Sequence, residues 1–110
     1  MRIIELDASG WTDALDFYRA LKVALGSCAG HGDSPAAWVD SMIWGGMNAI
    51  EAPYIVRITG TAHCNEELKS EIVLLAEVIK EARTWRFHHK GEDIDVSLVA
   101  PELSNPRRSN

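Results

Sequence analysis

A chain of 110 residues with 16 acidic and 11 basic side chains carries a formal charge of −5, which describes one modest acidic domain with a single core and excludes a two-domain organisation. Its 46% apolar and 25% charged residues are an ordinary globular balance and exclude a disordered chain. The acidic balance argues against nucleic acid or an anionic membrane as partner, because phosphate affinity comes from clustered Lys and Arg that release counterions, and it favours a basic partner instead. Met1 to Asp7 interrupts its apolar run with acids and shows no cleavage-site pattern, so secretion is not expected. No stretch approaches the roughly 18 to 20 apolar residues that span a bilayer, and a cytoplasmic protein is expected. Cys28 and Cys64 are too few to suggest a disulfide framework and are expected as free thiols.

Ile3, Ile4 and Leu6 form a short apolar run that predicts a strand buried on both faces of a small parallel sheet. Thr12 then caps a helix with Asp13 and Asp16 in its first turn and Ala14, Phe17, Tyr18, Leu21, Ala24 and Leu25 along one stripe, closed by Gly26. Ser27 to Asp33 is small, polar and glycine-rich, a loop whose backbone can approach a partner closely. Ser34 as N-cap and Pro35 at the first helical position start a second helix that runs to Trp44 and ends at Gly45-Gly46. Pro53 to Thr59, rich in β-branched residues, is a second strand ended by Gly60. Asn65 caps a longer helix with Leu68, Ile72, Leu75, Ile79 and Ala82 on its core stripe to about Thr84. Trp85 to His89 reads as an extra short strand turning at Lys90-Gly91, and Ile94 to Val99 alternates as a last strand should. Residues 1–100 make the domain, and 101–110, with Arg107 and Arg108, read as a flexible tail. Strands alternating with helices predict an α/β fold in which a small, mostly parallel, three-stranded sheet is covered by helices.

At about 100° per residue the second helix places Pro35, Trp38, Val39, Met42 and Ile43 on one side and Asp40 with Trp44 on the other. A carboxylate and an indole four residues apart on an exposed strip suit recognition of a basic group. The plainer alternative is that Trp44 covers its own helix end and Asp40 is solvated. His31 with Asp40, and His63 with Cys64, are acid-base or thiol types, yet no serine or cysteine stands in a nucleophile turn, so no catalytic residue is assigned. The spacings of Cys28 with His31, Cys64 with His63, and His88-His89 match no closed zinc pattern; neither metal nor cofactor is expected, and His88-His89 reads as an exposed turn.

The segment Leu25 to Gly46, with Gly30-His31-Gly32-Asp33-Ser34 leading into Ala37-Trp38-Val39-Asp40-Ser41-Met42, resembles the barstar family of intracellular ribonuclease inhibitors. The order of elements from Ile3 to Val99 resembles that family as well. The resemblance implies a protein without catalysis, an inhibitor or immunity protein that plugs a basic ribonuclease or nuclease toxin. It implies contacts by His31 at the aromatic position before the glycine, Ser34 after it, Asp40 as the phosphate-mimicking acid, Ile43, Trp44 and Gly45 along the strip, and Glu81 as a second acid. Pro35-Ala36-Ala37 stands where many relatives have an acid, and Trp38 precedes Val39 where a tryptophan more often adjoins the key acid. The alternative is a barstar-fold interaction module that binds a regulatory partner or a second copy of itself through the Trp44 strip. The oligomeric state does not follow from these residues.

Overall fold

In a computed structural model that describes residues 1–28, 30–45 and 48–103, the chain runs through β1 (Arg2–Asp7), α1 (Ala14–Leu25), α2 (Pro35–Val39) extended by a π turn (Asp40–Trp44), β2 (Tyr54–Thr59), α3 (Glu66–Lys90) and β3 (Val96–Val99). The strands form one parallel sheet in the order β1-β2-β3. Their register aligns Ile4 with Val56, Leu6 with Ile58, Tyr54 with Val96, and Val56 with Leu98, so these side chains share one face and pack beneath the helices.

The opposite face stays open. Ile3 is 54% exposed and Val99 39% exposed, and Arg57 on β2 pairs across to Glu5 at 3.3 Å. The expectation that β1 is buried on both faces is therefore corrected. Alternate residues of a strand point to opposite faces, and here the helices cover one of them. A parallel sheet is more often covered on both faces; the ion pair and polar side chains on this one keep the open face in water.

Phe17, Tyr18, Leu21 and Leu25 of α1 are buried against the core, which also takes Trp38, Met42 and Ile43 from α2 and its π turn and Leu68, Ile72, Leu75 and Ile79 from α3. The cap of α1 is Asp13, not Thr12: the Asp13 carboxylate accepts the amide of Asp16 at 3.1 Å. Asp16 in turn folds back to accept the amide and hydroxyl of Thr12 at 2.8 and 3.0 Å. Those hydrogen bonds, that to the Thr12 amide foremost, hold its carboxyl below the usual range. Gly26 closes the helix with φ 63°, and a Cβ there would stand 2.7 Å from Cβ of Ala49, so both conformation and space require glycine.

Beyond Thr84 there is no extra strand. Trp85 to His89 continues α3 to Lys90, where Gly91 caps it with φ 70°. Aromatic composition suggested a strand, but these residues follow an uninterrupted helix, and His88, His89 and Lys90 suit the negative end of its dipole. Arg83 fastens the following loop through Asp93 at 2.7 Å and Asp95 at 3.2 Å, and Arg86 does so through Glu92 at 2.8 Å. Among the described residues no helix is long and apolar enough to cross a membrane.

Pro101, Glu102 and Leu103, expected in the tail, instead form a turn at the end of β3. Glu102 accepts the amide of Thr61 at 2.7 Å, its hydroxyl at 2.8 Å and the amide of Gly60 at 3.3 Å. Residues 104–110 of the expected tail, Arg107 and Arg108 included, lie outside the described residues.

The hydrogen bonds from Thr61, followed by that from Gly60, hold the Glu102 carboxyl below its ordinary value. A carboxyl depressed in the folded state stabilises it above the unfolded value, and that contribution is lost as pH falls through the folded value. Glu102→Gln should therefore lower Tm at pH 7, and the gap to the unaltered chain should close on acidification below about pH 4. Thermal melts by circular dichroism across that range check it; a gap that persists unchanged in acid would show that the charge does not matter.

Candidate functional site

A helix of only five residues, α2, cannot hold itself in water and depends on its ends and on what it buries. Ser34 accepts the amide of Ala37 at 3.2 Å, and Pro35 occupies the first turn, where its missing N–H is harmless. Trp38 is 0% exposed and anchors the helix in the core. The chain then widens into the π turn, in which Gly45 donates its amide to the carbonyl of Asp40 at 3.0 Å. Gly45 takes φ 86°, a conformation that favours glycine; Gly46 lies outside the described residues. The result is a two-sided ridge, with Ser41, Met42 and Ile43 inward and Asp40, Trp44 and Gly45 outward.

Of the residues expected at the partner surface, His31 stands elsewhere. It is 3% exposed, its ring centroid lies 3.8 Å from that of Trp38, and its Nδ1 is 2.7 Å from the carbonyl oxygen of Gly32. A carbonyl only accepts, so Nδ1 carries the proton; in the neutral ring, Nε2 accepts from the Ser41 hydroxyl at 2.7 Å. Asn48 donates to Ser41 at 3.3 Å and accepts from Ser27 at 2.5 Å, which ties the start of the loop to the helix. His31 is an internal support of the glycine-rich loop, and the reading of its ring as a surface contact is corrected. An imidazole that finds two partners and an indole face inside the fold has no reason to stay in water. Ile43, 1% exposed, likewise faces inward and offers its main chain only. Ser34 is exposed, with its oxygen engaged as the helix cap.

Trp85, Arg86 and His89 near the end of α3 stand against this ridge and were missed in the sequence, where Trp85 to His89 read as a strand, whereas Glu81 on the same helix was expected there. Trp85 meets Trp44 edge-on, with centroids 6.2 Å apart and planes at 61°. His89 stacks on Trp85 at 4.1 Å and 10°. Arg86 sets its guanidinium carbon 4.7 Å from the centroid of Trp44, donates to the carbonyl of Ile43 at 2.6 Å and donates to Glu92 at 2.9 Å. One side chain thus satisfies a carbonyl of the π turn, covers part of the Trp44 ring and joins both to the loop after α3. The spacing Glu81, Trp85, His89 was the available signal, since residues four apart share a helix face. Glu81 is exposed on that face, and because α3 ends at Lys90, more than two turns further on, it does not oppose the dipole as a helix-end acid would.

Lys22 holds the loop to α1 by pairing with Asp33 at 2.8 Å. Cys28 is exposed and Cys64 buried, both unpaired, and burial pushes the Cys64 thiol up. Among the described residues no group of three His, Cys, Asp or Glu side chains is arranged to hold a metal ion. What the arrangement can do is bind: it presents Asp40 beside Trp44 on a ridge fixed from behind, with Glu81 and Trp85 on the neighbouring helix.

Comparison with curated proteins finds no match. The family model described as "Barstar (barnase inhibitor)" matches residues 1–99, a span that takes in the sheet, the helices and the Asp40–Trp44 ridge. The chain belongs to the barstar family.

Proposed function

We propose that this protein binds and blocks a basic ribonuclease in the cytoplasm, without catalysis of its own, through Asp40, Trp44 and Gly45 with Glu81 alongside. The observation that carries the reading is the pairing of an exposed Asp40 and a 44% exposed Trp44 on a ridge whose back is locked by the fully buried Trp38. A nuclease holds phosphates with Arg and Lys, and a fixed carboxylate of the opposite sign fits the same cations. Trp44 supplies area that excludes water around that contact. Buried His31 and Ile43, and Ser34 as the cap of α2, hold the loop and the turn in shape. The formal charge of −5 steers association with a basic enzyme, and this steering weakens as salt shortens the Debye length.

Arg86→Ala tests the presentation of the ridge without a partner. It removes a charged donor from the Ile43 carbonyl, for a stability loss of about 1–3 kcal/mol, and uncovers Trp44, so acrylamide quenching of a variant with Trp44 as its only tryptophan should rise. Unchanged quenching would show that Arg86 does not hold the ring.

Asp40→Ala tests the reading itself. The exposed side chain makes the free fold nearly indifferent, within about 0.5 kcal/mol. Affinity for the ribonuclease captured from the source cell should fall by about 2–5 kcal/mol, a range drawn in part from barstar complexes themselves. Calorimetry and inhibition assays on one preparation decide it: a collapse of Tm makes Asp40 structural, and undiminished inhibition removes it from the contact. An association rate indifferent to salt would favour an apolar self-association surface instead.

A further inference from the structure

We infer that Trp85, stacked on His89, is a specificity residue that receives an arginine of the basic partner in preference to a lysine; the inference deepens the proposed function and rests on it. Glu77, Glu81, Trp85 and His89 follow at four-residue steps along one face of α3, so two carboxylates lead into an indole and an imidazole on a single ridge. Together with Lys80 and His88, these residues line one shallow groove. Trp85 remains 47% exposed although His89 stacks on it at 4.1 Å. The imidazole braces one face of the indole and directs an incoming group to the rest of the ring.

The chain already shows what such a combination holds. Arg86 lies 4.7 Å from the centre of the Trp44 ring while donating to the Glu92 carboxylate at 2.9 Å, an indole and an acid sharing one guanidinium. Trp85 with Glu81 one turn earlier offers the same two groups outward, beside Trp44 at 6.2 Å. A guanidinium is planar, weakly hydrated and able to stack while its edge donates to a carboxylate; an ammonium is a compact, strongly hydrated point charge that gains little from the ring. Glu81 attracts either cation, and the indole discriminates between them.

Tetra-arginine and tetra-lysine peptides, titrated at low salt and followed by tryptophan fluorescence and the indole N–H resonances, test the inference on the whole chain. The arginine peptide should bind roughly two- to fivefold more tightly and shift the Trp85 resonance. Trp85→Leu should bring the two affinities together, and Trp85→Tyr, which keeps an aromatic face, should restore the preference; far-UV circular dichroism confirms that both variants fold. Equal affinities in the unaltered chain, binding of neither peptide, a preference that persists in W85L, or one that W85Y fails to restore overturns the inference. The peptides report on arginine preference whether or not a ribonuclease is the partner, so this inference and the proposed function fail separately.

Discussion

The site exists because Trp38 is buried. A five-residue helix has no stability of its own, and its outward residues are fixed in space only to the extent that its inward ones are. Trp38 is 0% exposed and lies tilted against His31, while the carbonyl of Trp38 lies 3.3 Å from the Ser41 hydroxyl that bonds the same imidazole. Loop, helix and π turn therefore close on one aromatic pair. Truncating a buried tryptophan costs about 3–5 kcal/mol in general, a large share of the stability of a domain this size. Here the loss would fall on the segment that carries Asp40 and Trp44, so position and stability are set by the same contact.

The π turn adds a second constraint. The widened turn after Val39 carries Asp40 and Trp44 on the outer side and Met42 and Ile43 in the core, the faces an α-helical period also gives them, but a π turn is a poor continuation of an α-helix and tends to occur where function retains it. Its Asp40 carbonyl is taken by Gly45 and its Ile43 carbonyl by Arg86. The second of these comes from the far end of α3. A local irregularity in one element is thus held by a side chain of another, and the edge-on contact of Trp85 with Trp44 follows from that docking.

Much of this was legible in the sequence, for identifiable reasons. Ser34, Pro35, Gly26 and Asn65 announce helix ends by chemistry that acts within a few residues, and the phase of α2 follows from period alone, which is why Trp38 inward and Asp40 with Trp44 outward agree with the structure. Properties that depend on distant partners were not legible. Ile3 is as apolar as Ile4, and only the placement of every helix on one side of the sheet leaves it in water. His31 reads as a surface group until Trp38 and Ser41 are brought to it. Trp85 to His89 has the composition of a strand, and the helix persists there because Arg83 and Arg86 tie it to the residues that follow. The α2 ridge carries its own periodicity and Glu81 was reached through the family resemblance, whereas Trp85, Arg86 and His89 became visible beside them only once the helix was known to continue.

The layout of α3 separates core from surface. Its buried residues, Leu68, Ile72, Leu75 and Ile79, end where the exposed ridge of Glu81, Trp85 and His89 begins, so one helix is scaffold for its first turns and surface for its last. None of Glu81, Trp85 and His89 is buried in the core. Substitution at its exposed positions Glu81 and Trp85 therefore comes at small expense to stability, while Arg83 and Arg86 on the same turns fasten the helix to the loop that follows it and to the π turn. The α2 ridge lacks this freedom, because Asp40 and Trp44 alternate with residues that the core requires. Within this fold, Asp40 is held by the part of the chain least able to change, whereas Glu81 and Trp85 stand on the part most able to.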